Sequence, residues 1–104
     1  MMEKIAFKMK LKPGKRAEYE IRHAAIWPEL VALLKENGIA DYTIFFDEES
    51  DSLFAVQRLN GNSSQELGQT EVVQRWWKYM ADIMETNDDY SPVSVPLSTV
   101  FHLD

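Results

Sequence analysis

The stretch IADYTIFFDEESDSLFAVQRL, residues 39–59, decides the fold because it has the pattern of two strands joined by a short turn. Ile39–Asp47 and Leu53–Leu59 both carry aromatic, β-branched and other apolar side chains. The residues between them, EESD, are acidic and polar, which is typical of a turn. The stretch therefore predicts a β-hairpin. Because apolar residues occupy both alternating faces of these strands, we expect the sheet to be covered on both sides, at least in its middle.

Upstream of the hairpin, the pattern changes from that of a strand to that of a helix. Lys4–Lys12 alternates apolar and polar side chains, which predicts a half-buried strand that ends at a Pro-Gly turn. A helical pattern runs from Lys15 to about Ala25. It restarts at Trp27-Pro28, since proline is tolerated in a first helical turn, and continues to Asn37.

Downstream of the hairpin, one more helix and one more strand complete the pattern. Ser63 and Glu66 fit a capping box, although this short motif has many chance matches. Thr70–Met84 places its apolar residues on one arc and predicts a helix. Val93–Leu103 predicts a last strand, in which Pro96 indicates a sheet edge or a bulge. The order βαββαβ predicts an α+β fold of the ferredoxin-like type.

Length and composition narrow the functional classes. A chain of 104 residues predicts a single domain, residues 1–104. The net charge of −6 and the absence of a Lys/Arg-rich run argue against partners such as nucleic acid or an anionic membrane. The lack of cysteine excludes disulfides and thiol catalysis. No apolar run reaches membrane-spanning length and no signal-peptide core is present, so we expect a cytoplasmic protein.

Tyr19 and His23 are the first candidate site residues. They lie four residues apart, which stacks two side chains on one face of a helix. Imidazole can give or take a proton near neutral pH, which suits general acid/base catalysis. Taken alone, each residue also fits an ordinary position at the edge of the core.

Three further aromatic residues are candidates for a binding pocket. Trp76 and Trp77 are adjacent and therefore about 100° apart on a helix, so one can fill the core while the other lines a pocket wall. Trp76 lies near the centre of the apolar arc and Trp77 at its edge. Tyr42 on the second predicted strand can reach a pocket or pack across the sheet. The sequence has no Gly-rich phosphate loop, no Gly-x-Ser-x-Gly and no metal-ligand spacing, so we expect neither metal nor cofactor.

The chain resembles the L-rhamnose mutarotase family over almost the whole length of the chain. Four segments carry the resemblance, and they occur in the same order as in the family. The segments are EYEIRHAAIWPEL (18–30), YTIFFDEESDSLFA (42–55), RWWKYMADIM (75–84) and SPVSVPLSTVFHLD (91–104). The resemblance implies a ferredoxin-like homodimer of the dimeric α/β-barrel type. It also implies an isomerase that interconverts the α and β anomers of L-rhamnopyranose, with the sugar as its small-molecule partner.

The resemblance also implies the roles of particular residues. Tyr19, Tyr42, Trp76 and Trp77 match positions that line the family's sugar site, and His23 matches its proton donor. The complementary base stays open among a carboxylate, a second role for the histidine, and water.

Two positions depart from the family pattern. Ala24-Ala25 stand where members usually carry a polar residue or Asn-Pro, so a smoother helix is expected there. His102 stands where members often carry tyrosine, and no role is expected for it. Two alternative functions stay open: another enzyme of this build, either a cofactor-free monooxygenase or a haem-handling protein with His23 as iron ligand, and a sugar-binding domain without catalysis.

Overall fold

The computed structural model describes residues 3–104, in which three α-helices pack on one face of a four-stranded antiparallel sheet. The strand order β2-β3-β1-β4 is that of the ferredoxin-like fold, so the predicted α+β class and the order βαββαβ are confirmed. Residues 1 and 2 of the predicted domain lie outside the described residues. The elements are β1 (Glu3–Lys10), α1 (Arg16–Ala24), α2 (Pro28–Glu36), β2 (Ile39–Asp47), β3 (Ser52–Leu59), a 3-10 helix (Ser64–Leu67), α3 (Glu71–Met80) and β4 (Val95–Leu97).

The predicted hairpin forms from β2 and β3, with Phe45 opposite Phe54 and Phe46 opposite Leu53. Its register shifts between Ala40 and Thr43, where the ladder is interrupted. Asp41 lies in this irregularity with a positive φ of 50°. Such bulges re-aim neighbouring side chains, and this one determines where Tyr42 sits.

The two faces of the sheet differ in what covers them. On β3, the alternate residues from Leu53 to Leu59 are buried beneath the helices, together with Phe7 and Met9 of β1. The opposite face, which we call the outer face, has no covering element among residues 3–104. The expectation that both sides are covered is therefore met by this chain only on the helical side. The apolar residues of the outer face include Ala6, Phe45, Phe54, Val56, Val95 and Leu97.

The chain between the first two helices breaks more sharply than Ala24-Ala25 alone suggested. α1 ends at Ala24, and Trp27 has an extended backbone (φ −63°, ψ 130°) before α2 begins at Pro28. A residue that precedes proline is driven out of the helical region, so the break follows from Pro28. The prediction that a helix restarts at Trp27-Pro28 is confirmed. The prediction that the first helix continues smoothly past Ala24-Ala25 is wrong.

The extents of α3 and β4 and the predicted capping box also differ from the structure. α3 ends at Met80 rather than Met84, because the next residues form tight turns and Met84 pairs with Leu11 beyond the end of β1. β4 covers only Val95–Leu97 of the predicted Val93–Leu103, as the chain pairs with β1 only over these three residues. The capping box is absent: the Ser63 hydroxyl contacts the Glu66 carboxylate and caps no backbone N–H.

No helix within residues 3–104 has the length and apolar character needed to cross a membrane.

We expect Gly38→Ala to lower the free energy of unfolding by roughly 2–5 kcal/mol, which combines left-handed backbone strain with overpacking. Gly38 has φ 80°, and a Cβ there would lie 2.4 Å from the Asn60 carbonyl oxygen. Urea unfolding followed by circular dichroism measures the loss. Gly14→Ala is the matched control, because Gly14 has φ 76° but open space around its Cβ position. Its cost should be only about 1–2 kcal/mol. Equal losses in both variants would contradict the assigned overlap.

Candidate active site

A cavity of about 940 Å³ opens between the helices and the inner face of the sheet. This volume lies within the range of small-molecule sites, although it exceeds what one monosaccharide fills. The five site residues predicted from the sequence all line it: Tyr19, His23, Tyr42, Trp76 and Trp77. Helix α1 supplies the first two, strand β2 the third, and helix α3 the indole pair.

The spacing of Tyr19 and His23 has the predicted result, because both side chains lie on the cavity face of α1. Their rings stack with centroids 4.1 Å apart and planes 27° from parallel. His23 Nδ1 lies 3.1 Å from the Tyr19 carbonyl oxygen. A carbonyl can only accept, so Nδ1 carries the proton and donates it. The neutral imidazole therefore keeps Nε2 free to exchange a proton with a ligand.

Burial decides the charge state of His23. Burial lowers the pKa of the imidazole below its usual value of about 6.5, and the bond to the Tyr19 carbonyl opposes this only in part. At neutral pH the ring is therefore uncharged. A neutral imidazole must first accept a proton before it can donate one from Nε2.

Aromatic rings enclose this imidazole. Trp76 meets the His23 ring edge-on, with centroids 5.5 Å apart, and it packs against Trp27 at 5.1 Å. Trp76 is buried and belongs to the core, whereas Trp77 is only partly buried. The different environments of the two indoles agree with the prediction from the helix arc. Trp76 nevertheless both fills the core and forms part of the cavity wall.

The two tyrosines are hydrogen-bond donors rather than bases near neutral pH. Burial, reinforced by the nearby phenol of Tyr42, raises the pKa of Tyr19 far above its usual value of about 10. Burial also raises the pKa of Tyr42, against the opposing effect of hydrogen-bonding groups on Ser64 and Gln57. Both phenols therefore keep their protons and can donate to hydroxyl oxygens of a ligand.

The carboxylates at the cavity are held in ion pairs. Glu20 lies 2.8 Å from Arg16, and Asp41 lies 3.1 Å from Arg58. Both side chains are more than 60% exposed, so they remain ordinary surface carboxylates at the rim. Across residues 3–104 no three His, Asp or Glu side chains come together as a metal site. His102 is exposed, lies 2.8 Å from Asp104, and does not line the cavity.

Arg22 is a structural residue that the sequence analysis missed. Its guanidinium donates to both carboxylate oxygens of Asp82, at 2.8 and 3.1 Å, and to the Tyr79 carbonyl at 2.7 Å. It also pairs with Glu18 on its own helix and lies 4.8 Å from the centre of the Tyr79 ring. These contacts tie α1, which carries His23, to the end of α3. The sequence feature that could have identified Arg22 is its position directly before His23, on a helix that packs against the rest of the domain.

The fold and the cavity define a class: a small ferredoxin-like α+β domain whose helices and sheet enclose a ligand-sized, aromatic-walled site around one neutral histidine. The chain belongs to the L-rhamnose mutarotase family, because residues 4–103 match the family model of that description. That description denotes an isomerase.

Individual relatives agree with this assignment. An L-rhamnose mutarotase of Bacteroides thetaiotaomicron is 64% identical over 104 residues, which covers 99% of this chain and 100% of the relative. One from Phocaeicola vulgatus is 56% identical with the same coverage. The crystal structure of L-rhamnose mutarotase FA22100 from Formosa agariphila has a TM-score of 0.92 at 50% identity, and the match covers 98% of this chain and 99% of that one. PA3566 from Pseudomonas aeruginosa, 14% identical with a TM-score of 0.56 over 96% of this chain and 94% of its own, supports the fold alone.

We expect Trp76→Ala to lower the free energy of unfolding by about 3–5 kcal/mol, as is common for a buried aromatic residue. Trp76 contacts Trp27, Tyr79 and His23 inside the core. Trp77→Ala, at a partly buried position against Gly68, is the matched comparison and should cost less. Chemical denaturation of both variants measures the difference. The reverse order of stability loss would show that the two indoles are assigned to the wrong environments.

Proposed function

We propose that this chain is an L-rhamnose mutarotase, in which His23 moves the protons that open and close the hemiacetal ring. The observation that carries the proposal is the state of His23: an uncharged imidazole in an aromatic-walled cavity, with Nδ1 held by a carbonyl and Nε2 free. Membership of the family supports L-rhamnose as the substrate.

The reaction needs one proton taken and one proton given in each direction. Nε2 of His23 accepts the proton of the anomeric hydroxyl, the bond between the anomeric carbon and the ring oxygen breaks, and a carbonyl forms. The imidazolium then delivers the proton to the former ring oxygen. Rotation about the adjacent carbon–carbon bond presents the other carbonyl face, and the reverse steps close the ring as the other anomer. The proton balance closes without a cofactor.

His23 suits both halves of this exchange better than the other groups at the cavity. The pKa values of Tyr19 and Tyr42 are raised, so neither phenol takes a proton near neutral pH. The rim carboxylates Glu20 and Asp41 are paired with arginines. Of the alternatives left open by the sequence, a second role for the histidine is therefore the best supported, and the imidazole acts first as base and then as acid.

The remaining site residues are assigned to binding. The protonated phenols of Tyr19 and Tyr42 donate to sugar hydroxyls, while Trp76 and Trp77 supply flat apolar walls. Indole faces suit the C–H surface of a pyranose and the methyl group of a 6-deoxy sugar. Walls of this kind also exclude water, so that protons pass between the imidazole and the sugar.

We also propose that the protein is a homodimer joined through the outer face of the sheet. Phe45 is 59% exposed there, and Val95 and Leu97 are 49% and 40% exposed. Phe54 and Val56 of β3 extend the same apolar surface. Exposed apolar patches of this kind mark association sites. A second copy is the occupant that the family resemblance implies, and a twofold pairing would bury the face against itself.

We expect His23→Ala to slow anomer exchange of L-rhamnose by roughly 10²–10⁴-fold, the usual worth of a positioned acid/base group. Saturation-transfer NMR between the α and β anomeric protons measures the exchange, with the uncatalysed rate subtracted. Circular dichroism checks the fold. His102→Ala is the matched control and should exchange at the wild-type rate, since His102 is exposed and outside the cavity. Wild-type exchange by folded His23→Ala would remove the role assigned to this histidine.

The pH dependence of anomer exchange by the wild-type protein gives a second test of the role of His23. The folded pKa of His23 lies below its unfolded value of about 6.5, so the active neutral form is fully present above that pH. Exchange should fall as the pH falls through the folded pKa. Across the same window the unfolded chain binds more protons than the folded one, so stability should fall too. A rate that rises on acidification below pH 6.5 would contradict the neutral resting state.

We expect wild-type protein at micromolar concentration to sediment as a dimer, and Phe45→Lys to shift it toward monomer. A lysine on the buried face of the pair would have to lose its hydration. Analytical ultracentrifugation decides between the two states. Ile21→Lys is the matched control, because Ile21 is 62% exposed on α1, away from the sheet face, and it should leave the dimer intact. A wild-type monomer would overturn the proposal.

A further inference from the structure

Gln57 is a polar residue at an apolar position of the core. It lies on the inner face of β3 between Ala55 and Leu59, and its side chain is fully buried. Burying an amide is unfavourable unless its groups are hydrogen-bonded, and leucine would satisfy the packing of this position without that requirement. The presence of an amide therefore calls for a partner that needs it.

The partner is Ser64, the first residue of the 3-10 helix. Gln57 Nε2 donates to Ser64 Oγ at 2.5 Å, and Gln57 Oε1 accepts the Ser64 backbone N–H at 3.3 Å. Ser64 is itself 8% exposed. The amide thus makes two bonds to one residue, which fixes both the backbone and the hydroxyl rotamer of Ser64 against the sheet.

Ser64 brings this pair to the wall of the cavity, which Tyr42 also lines. The stacked rings of Tyr19 and His23 line the same cavity. Ser64 and Tyr42 line the cavity, and Gln57 lies behind them. The Ser64 hydroxyl and the Tyr42 phenol are therefore two polar groups of one cavity, and Gln57 fixes the first of them.

We propose that Gln57 is a positioning residue for substrate selection: it holds the Ser64 hydroxyl at the cavity wall, where this hydroxyl and the Tyr42 phenol form a subsite for one pyranose hydroxyl. This inference rests on the proposed function. A site built to hydrogen-bond a hydroxyl discriminates strongly against a sugar that lacks it or presents it on the other face, because its buried polar groups are then left unpaired. Apolar walls alone distinguish such sugars weakly.

A set of sugars that differ at one carbon tests the subsite. Anomer exchange is measured by saturation transfer for L-rhamnose and for its single-carbon epimers 6-deoxy-L-glucose, 6-deoxy-L-altrose and 6-deoxy-L-talose. The ratio of kcat/KM for L-rhamnose to that for each epimer gives the selectivity. The subsite should raise one of these ratios above the others, and that ratio identifies the carbon whose hydroxyl is bound.

Ser64→Ala removes the subsite hydroxyl but keeps the backbone N–H that Gln57 accepts, so the variant should remain folded. We expect the selectivity ratio at the identified carbon to fall roughly tenfold, through a higher KM for L-rhamnose with little change in kcat. Gln57→Leu should lower the same ratio, because it removes both bonds to Ser64. Ser63→Ala is the matched control. Ser63 is buried next to Ser64 but bonds Glu66 outside the cavity, so its selectivity should stay at the wild-type value.

The outcomes separate this inference from the function on which it rests. If folded Ser64→Ala and Gln57→Leu keep the wild-type ratios for all three epimers, the pair is only a structural latch and the inference is overturned. If the wild-type protein exchanges no sugar anomers above the uncatalysed rate, the proposed function itself fails.

Discussion

The position of Arg22 governs the geometry of the site. Its guanidinium makes a two-pronged contact with Asp82 and a third bond to the Tyr79 carbonyl, while its side chain is only 11% exposed. A planar guanidinium can satisfy these acceptors together, whereas an ammonium cannot. His23 is the next residue along α1, and Trp76 lies one turn before Tyr79 on α3. The separation of imidazole and indole therefore depends on this link between two helices.

Local patterns predicted most of the fold because the residues that form the sheet alternate regularly. The hairpin, the first strand and the break before Pro28 each follow from one short-range rule. The ends of α3 and β4 were not predicted by such rules. For α3, the reason is that apolar residues continue at helical spacing after the helix has ended at Met80. Ile83 and Met84 reach the core from turns that pair with the extension of β1, and this depends on a distant segment. Within residues 3–104, β4 is short because the chain stays alongside β1 only from Val95 to Leu97.

The candidate site divides in the same way. Tyr19 and His23 were predictable, since helical spacing alone stacks them. Tyr42, Trp76 and Trp77 were predicted from the sequence as residues that could either line a pocket or pack in the core. Only the family resemblance assigned them to one site. Gln57 was missed, although strand alternation places it on the same face as Leu53 and Ala55. A lone amide in an inward position was the available signal. Its partner Ser64, seven residues away, was not predictable before the chain folded.

The bond between His23 Nδ1 and the Tyr19 carbonyl lies entirely within one turn of one helix. Many histidines take their tautomer from a carboxylate supplied by another part of the chain. Here the backbone of the histidine's own helix sets it, and no second acidic residue is needed. The tautomer is thus encoded locally and survives any change elsewhere that leaves α1 helical. Because the acceptor is a main-chain carbonyl, the residue type four positions before the histidine is free to serve the ligand, and here it is a tyrosine that lines the same cavity.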